Sequence, residues 1–161
     1  MLFRSEQSNQ FAKQITAKLK VKVEPAEARA CVEQSDVICT CTTAREPLFD
    51  GGWVRPGTHL NLVGAFQPEA REVDDRTVER ARVVVDTYDG ALAEAGDLLL
   101  PMRRGVISRE HLAADLYEIV SGKKPGRTSA EEITLFKSLG CALEDLVAAS
   151  LVAEALGRGK E

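Results

Sequence analysis

The chain has 161 residues, about the size of one domain and enough to bury a hydrophobic core. Its 21 basic and 25 acidic residues give a net charge of −4, which argues against binding to nucleic acid. Apolar residues make up 44% of the chain, and no apolar run reaches the roughly 18 residues of a membrane span. The composition therefore excludes a disordered or membrane-spanning chain. The first residues lack the pattern of a secretory signal, so we expect a cytoplasmic location.

Four cysteines are spread along the chain: Cys31, Cys39, Cys41 and Cys141. They are too few to cross-link a fold of this size, and their apolar surroundings predict reduced, buried thiols. Cys39 and Cys41 could suggest a metal pair, but no second pair occurs at ligand spacing. The two histidines, His59 and His111, lie in unrelated contexts. We therefore expect no metal site.

The first third of the chain begins with an apolar pair, residues 2–3, that has the character of the end of a strand. Ser5 or Ser8 can cap the helix that follows. Apolar residues recur every four positions along this helix: Phe11, Ile15 and Leu19. Residues 21–23 then predict a short strand, and Pro25 predicts the start of a second helix that runs through about residue 34.

Three apolar runs rich in β-branched residues predict further strands: 37–41, 60–63 and 82–85. Continuous apolar runs are typical of parallel strands covered on both faces, and residues 74–80 predict a helix between the last two. Strands that alternate with helices indicate a doubly wound parallel α/β sheet. Ligands of such sheets bind where strands end, which here means the following residues. They are Arg4, Ser5, Thr42, Thr43 and Gly64.

The last third of the chain has a different character. Ser108 is predicted to cap a helix with an apolar face, and residues 122–128 form a loop rich in Lys, Gly and Pro. Residues 129–132 have the spacing of a capping box, but we favour a strand at 133–136 over a helix there. The helix predicted at 140–156 is apolar around most of its circumference, so we expect something outside this sheet to bury it.

Several segments together resemble the ornithine cyclodeaminase and mu-crystallin family, which includes alanine dehydrogenases and cyclic imine reductases. The segments are 40–49, 53–65, 71–75, 84–86, 96–99 and 134–140, with Glu144 and Asp145. The resemblance covers essentially the whole chain but only the later part of a family member. Family proteins begin with a substrate-binding and dimerisation domain and then the first strand and glycine-rich turn of a Rossmann fold. This sequence contains no G-x-G-x-x-G spacing, so the chain looks truncated at its N-terminus.

The resemblance implies an incomplete Rossmann-like fold with two parts. Residues 1–128 are expected to form the NAD(P)-binding domain without its first strand and glycine turn. Residues 129–161 are expected to return to the missing substrate and dimerisation domain, with a C-terminal strand and helix that belong there. By the same resemblance, the parent protein is a homodimer that binds a small amino acid or cyclic imine.

The resemblance also assigns candidate site residues, position by position. Those matching cofactor contacts are Thr42, His59, Leu60, Asn61, Leu62, Gly64 and Ser138, and Leu139 matches a substrate contact. From the residues alone, each has a structural alternative. Thr42 can be an ordinary strand residue, Asn61 and Gly64 can belong to turns, Ser138 can cap a helix, and Leu139 can be a core residue.

Arg4 and Ser5 bear on cofactor choice. The second strand of a Rossmann unit ends at an acidic residue when the ribose 2′-hydroxyl of NAD is bound, whereas Arg suits the 2′-phosphate of NADP. Residues 2–3 are interpreted as the end of that strand, which predicts a preference for NADP over NAD. Glu6 could meet a 2′-hydroxyl if the register is shifted. Ser5 could simply cap the next helix, and Arg4 could be a solvated charge.

Phe66 marks a departure from the ornithine cyclodeaminases. They carry a proton-transferring aspartate two residues after the position of Gly64, and phenylalanine cannot transfer a proton. The resemblance therefore favours a parent that transfers hydride, as a ketimine reductase or amino acid dehydrogenase. An ornithine cyclodeaminase with another acid and a non-catalytic ligand-binding remnant remain as alternatives. No catalytic residue is assigned in this chain, and we expect the chain alone to be inactive.

Overall fold

The fold is built on one parallel β-sheet, seen in a computed structural model that describes residues 6–158. Its strands are β1 (Val37–Thr40), β2 (His59–Leu62), β3 (Arg82–Val85), β4 (Leu112–Asp115) and β5 (Thr134–Lys137). They lie in the order β1-β2-β5-β3-β4, and every neighbouring pair is parallel. The predicted parallel α/β fold is thus confirmed, and the carboxyl ends of all five strands meet at one edge.

Within residues 6–158, seven α-helices connect or flank these strands. They are α1 (Glu6–Leu19), α2 (Ala28–Gln34), α3 (Asp75–Arg80), α4 (Tyr88–Glu94), α5 (Gly96–Arg103), α6 (Leu116–Val120) and α7 (Ala142–Arg158). Side-chain caps fix where three of the short ones begin. Asp74 accepts from the Thr77 N–H at the start of α3, Thr87 caps α4, and Asp115 forms a capping box at α6. These caps satisfy N–H groups that otherwise lack partners in the first turn.

Strand β5 lies in the middle of the sheet. It pairs with β2 on one side and β3 on the other, so Leu135 lies opposite both Leu60 and Val83. The expectation that the C-terminal strand belongs with a separate domain is therefore wrong, because its backbone groups complete the ladder between two earlier strands. The assignment of α7 to another domain stays a prediction.

The two faces of the sheet differ in burial. One face packs its apolar side chains against α3, α4 and α5 in the main core, where Leu60, Leu62, Val83, Val85 and Leu135 are almost fully buried. The residues that alternate with them point to the other face, which we call the open face, and are only partly buried. A groove of about 440 Å³ runs along the open face beside α6.

Two predicted elements are wrong. Residues 21–23 form no strand: within the described chain they have no ladder partner, and the Val23 N–H donates to the Thr16 hydroxyl instead. The helix predicted from Ser108 is a short 3₁₀ turn, then β4, then α6. The first half of that segment pairs with β3 instead of forming a helix, because this pairing adds a fifth strand to the sheet. The second helix also begins at Ala28, three residues after Pro25.

The predicted burial of the cysteine thiols is also wrong. All four cysteines are free, as predicted, but Cys31, Cys39 and Cys41 are exposed and Cys141 is half-buried. Cys39 lies on the open face, and its neighbour in β1, Val37, is also exposed. Strand β1 is therefore covered on one face rather than two, because within the described residues no helix packs over its second face.

Helix α7 was predicted almost correctly in extent, and its apolar character is confirmed. Large apolar side chains are exposed along its length: Leu143, Leu146, Val147, Leu151, Val152 and Leu156. No helix among the described residues is long and apolar enough to cross a membrane. What buries α7 stays a prediction from the sequence.

Candidate functional site

The candidate site is formed by the loops that leave β1, β2, β3 and β5 at their carboxyl ends, which we call the carboxyl edge. Hydrogen bonding of the ladder continues past the strands. The Val63 N–H donates to the Thr40 carbonyl at 2.9 Å, and the Ser138 N–H donates to the Leu62 carbonyl at 2.9 Å. The loops after β1, β2 and β5 therefore begin side by side.

A buried carboxylate joins the first two loops. Glu72 has no exposed surface, and it accepts hydrogen bonds from the Thr42 N–H at 2.6 Å, the Thr40 hydroxyl at 2.7 Å and the Gly64 N–H at 2.8 Å. Burial acts to raise the pKa of Glu72. The hydrogen bonds from Thr42, Thr40 and Gly64 outweigh burial and hold this pKa below its ordinary value.

Position 64 requires glycine because the loop after β1 and the Glu72 carboxylate lie too close for a side chain. A Cβ at this position would lie 2.1 Å from the Thr42 carbonyl oxygen and 2.4 Å from Glu72 Oε1. The loops after β1 and β2 therefore touch backbone to backbone, which any side chain at Gly64 would prevent.

A buried charge pair, Asp97 with Lys137, lies next to Glu72. Asp97 accepts from the Glu72 N–H at 2.7 Å and the Val73 N–H at 3.1 Å, and its other oxygen lies 3.4 Å from Lys137 Nζ. Lys137 is fully buried at the end of β5 and also donates to the Leu62 carbonyl at 3.4 Å. Burial raises the pKa of Asp97, although Lys137 acts to lower it.

Asp86 fixes the third loop. Its carboxylate, at the end of β3, accepts from the Leu139 N–H at 2.6 Å and the Gly140 N–H at 2.7 Å, and also from the Thr87 N–H at 2.9 Å. Gly140 has a φ of 79°, a value that favours glycine. Asp86 thus sets the path of the chain between β5 and α7.

The structure brings four of the predicted site residues together at the carboxyl edge: Thr42, Gly64, Ser138 and Leu139. Thr42 and Gly64 share Glu72, Ser138 continues the ladder from Leu62, and Leu139 is held by Asp86. A cavity of about 240 Å³ opens beside Gly64, lined also by Thr43, Ala44, Arg45, Phe66, Gln67 and Ala70.

The remaining predicted residues lie elsewhere. Leu60 and Leu62 have no exposed surface and point into the core, so their side chains cannot reach a ligand at the edge. His59 and Asn61 lie on the open face. His59 is at the amino end of β2, within hydrogen-bond distance of the Thr134 hydroxyl at 2.7 Å. Arg4 and Ser5 lie outside the described residues.

Three residues that organise the site, Glu72, Asp86 and Lys137, were quoted in the sequence only as parts of motifs. A local signal was present only for Asp86, which directly follows the apolar strand β3 at the edge where ligands bind. Only the fold shows which N–H groups they bind. Within residues 6–158, no cluster of three or more His, Cys, Asp or Glu side chains could hold a metal ion.

The profile of the ornithine cyclodeaminase/mu-crystallin family matches residues 2–160. The chain belongs to this family. It is 43% identical over 155 residues to the ketimine reductase mu-crystallin of Rattus norvegicus, covering 96% of this chain and 46% of that protein. It is 42% identical over 127 residues to the Δ1-pyrroline-2-carboxylate reductase of Paracoccus denitrificans, covering 79% of this chain and 40% of that protein.

A solved structure of the same family has the same fold. The Δ1-pyrroline-2-carboxylate reductase of Thermococcus litoralis, in complex with NADH and L-proline, is 45% identical and superposes with a TM-score of 0.91. The match covers 97% of this chain and 49% of that one. The chain thus spans about half the length of the family members it matches.

The hydrogen bonds to Glu72 predict a pH-dependent stability. Because its folded-state pKa lies below the unfolded value of about 4.3, Glu72 stabilises the fold above that pH. The contribution is lost as the pH falls through the folded-state pKa. Glu72→Gln should lower the free energy of unfolding by about 2 kcal/mol at pH 7, since an amide cannot accept all three hydrogen bonds.

Urea unfolding of the wild type and Glu72→Gln between pH 7 and pH 3 measures this effect. The difference between the two proteins should be constant above about pH 5 and shrink below about pH 4. A difference that stays constant down to pH 3 contradicts the prediction.

Proposed function

We propose that this chain is the NAD(P)-binding part of a protein that reduces cyclic imines, or oxidises amino acids, by hydride transfer. The observation that carries the proposal is the convergence of Thr42, Gly64 and Ser138 at the carboxyl edge. This is where ligands of parallel α/β sheets bind. The similarity to two kinds of cyclic imine reductase supports the reaction class.

The groups at the edge fit the nicotinamide half of the cofactor. The carboxylate oxygens of Glu72 and Asp86 accept from N–H or hydroxyl donors of the protein, so they are engaged within the fold. Thr42 and Ser138 are half-buried, and a hydroxyl can hydrogen-bond a carboxamide. The Thr42 hydroxyl also accepts from the Ala44 N–H at 3.1 Å. When bound, the cofactor supplies or accepts the hydride.

Phe66 favours a reductase or dehydrogenase over a cyclodeaminase. Phe66 is 56% exposed and lines the cavity beside Gly64. A phenyl ring excludes water from a neighbouring ligand but holds no proton, so the acid of a ring-closing deaminase is not supplied here. We propose that Leu139 contacts substrate next to Ser138, and that the charged groups for substrate binding come from a separate N-terminal domain, together with the dimer contacts.

Cofactor titration of the 161-residue chain tests this proposal. We expect NADPH fluorescence and calorimetry to show saturable binding without measurable turnover of Δ1-pyrroline-2-carboxylate or alanine. Weak binding is expected, because the sequence contains no G-x-G-x-x-G turn to supply N–H donors to the pyrophosphate. The absence of binding by both NADPH and NADH at millimolar concentration contradicts the proposal, and measurable turnover contradicts the expected lack of activity.

A preference for NADPH is predicted from Arg4. We expect Arg4→Ala to weaken NADPH binding about tenfold, the loss of one charge-assisted hydrogen bond, and to leave NADH binding unchanged. Lys22→Ala is the matched control, since Lys22 is an exposed cation paired with Glu24. Equal affinities for the two cofactors in the wild type would show that Arg4 does not select the 2′-phosphate.

A further inference from the structure

Glu72 connects two loops that carry residues of the proposed cofactor site. Glu72 itself is buried and does not line that site. It has no exposed surface, yet its carboxylate binds donors from the end of β1 and from the loops after β1 and β2. The three donor–acceptor distances, 2.6, 2.7 and 2.8 Å, are those of charge-assisted hydrogen bonds. The two loops are thus tied to one group.

The backbone of Glu72 is fixed in turn. Asp97 accepts its N–H at 2.7 Å, and Asp97 lies 3.4 Å from Lys137 at the end of β5. Ser138, which follows Lys137 directly, begins the third loop. A continuous buried network therefore links the loops after β1, β2 and β5, the same loops that carry Thr42, Gly64 and Ser138.

A general packing role does not explain this arrangement. Replacing buried ionic groups by apolar residues of similar volume is often neutral or stabilising, so charge at such a position is not needed for stability alone. A carboxylate has two acceptor oxygens and can take several donors at once. Here it holds the Thr42 and Gly64 N–H groups at a fixed separation, at the point where the two loops already touch.

We propose that Glu72 is a positioning residue for the nicotinamide ring of the cofactor. Its carboxylate sets the geometry of Thr42 and Gly64, which face the ligand. The proposal rests on the proposed function and adds a residue that acts through these loops. It predicts that loss of the charge loosens the edge locally and weakens binding of the nicotinamide half of the cofactor. The rest of the sheet should change only through the loss of global stability.

Amide hydrogen exchange tests the first half of this proposal in the full chain. In Glu72→Gln, exchange at Thr42 and Gly64 should rise at least about tenfold, since a hydrogen bond to a charged group is lost or weakened. Exchange in β3 and β4 should rise only as far as the loss of global stability requires, which urea unfolding of the same two proteins measures. Glu69→Gln is the matched control, because Glu69 is an exposed carboxylate paired with Arg103. Unchanged exchange at Thr42 and Gly64 in Glu72→Gln overturns the proposal.

Binding of nicotinamide mononucleotide tests the second half, followed by the amide shifts of Thr42, Gly64 and Ser138. We expect at least about tenfold weaker binding to Glu72→Gln than to the wild type and to Glu69→Gln. Equal binding to all three proteins shows a purely structural role and overturns the positioning proposal alone. A wild type that binds neither nicotinamide mononucleotide nor NADPH overturns the proposed function, and with it the role of Glu72.

If Glu72→Gln does not fold, a second variant, Thr40→Val, tests the same proposal. Thr40→Val is isosteric, keeps Glu72, and removes the hydroxyl donor at 2.7 Å. We expect faster exchange at Thr42 and Gly64 and weaker binding of nicotinamide mononucleotide, both by about threefold, a smaller effect because two donors remain. If Thr40→Val shows the same amide exchange and the same binding of nicotinamide mononucleotide as the wild type, the proposal is overturned.

Discussion

Replacing Lys137 by Met should destabilise the protein by about 3–5 kcal/mol, the usual cost of removing one partner from a buried ion pair. Lys137 is fully buried and Asp97 is 1% exposed, with 3.4 Å between Lys137 Nζ and Asp97 Oδ2. That oxygen makes no hydrogen bond within the described residues. Without Lys137, the Asp97 carboxylate would keep only the Glu72 and Val73 N–H donors.

Urea unfolding at pH 7 measures this loss, and Lys124→Met is its control. Lys124 pairs with Glu118 at the surface, and its removal should cost far less than the removal of Lys137. The double variant Asp97→Asn/Lys137→Met should recover part of the loss, because the buried charge is then absent. Similar losses for Lys137→Met and Lys124→Met would show that the buried pair does not stabilise the fold.

Replacing Gly64 by Ala should cost about 3 kcal/mol and abolish cofactor binding. The new methyl group would lie 2.1 Å from the Thr42 carbonyl oxygen and 2.4 Å from Glu72 Oε1. Neither atom can move easily, because one belongs to the backbone and the other holds two loops together. The loops after β1 and β2 must therefore separate.

Thermal or urea unfolding and a titration with NADPH check this prediction. Gly126→Ala is the matched control, since a methyl group there would meet no atom within 4 Å. Its stability should stay within about 0.5 kcal/mol of the wild type, as for most surface substitutions. A Gly64→Ala variant that is as stable as Gly126→Ala would mean that the two loops can separate at little cost.

Local patterns in the sequence predicted the strands and helices that carry strong signals. The three valines of β3 and the apolar run of α7 specify their elements almost residue by residue. Local patterns failed where pairing with another strand decides the outcome. The segment from Leu112 has the apolar spacing of a helix, but it pairs with β3. Residues 21–23 have the composition of a strand but no ladder partner within the described chain.

The candidate site was predictable only in part for the same reason. The position after a strand predicted Thr42 and Gly64 at the carboxyl edge, because all parallel strands end there. The roles of Glu72, Asp86 and Asp97 depend on hydrogen bonds to residues far along the chain, and no local pattern contains that information. Leu60 and Leu62 were matched to a family segment that passes the cofactor through backbone contacts. The alternation along β2 turns their side chains into the core, and their backbone contacts stay a prediction.

The central place of β5 has a consequence for how the chain folds. His59 of β2 and Thr134 of β5 are 75 residues apart, and β5 separates β2 from β3. During synthesis, β1 with β2 and β3 with β4 can form only two separate strand pairs until residues 134–137 leave the ribosome. Closing such long loops is slow, and strand edges that wait unpaired are prone to associate with other chains. The strand that is made after the other four is therefore the one that turns two strand pairs into a single sheet.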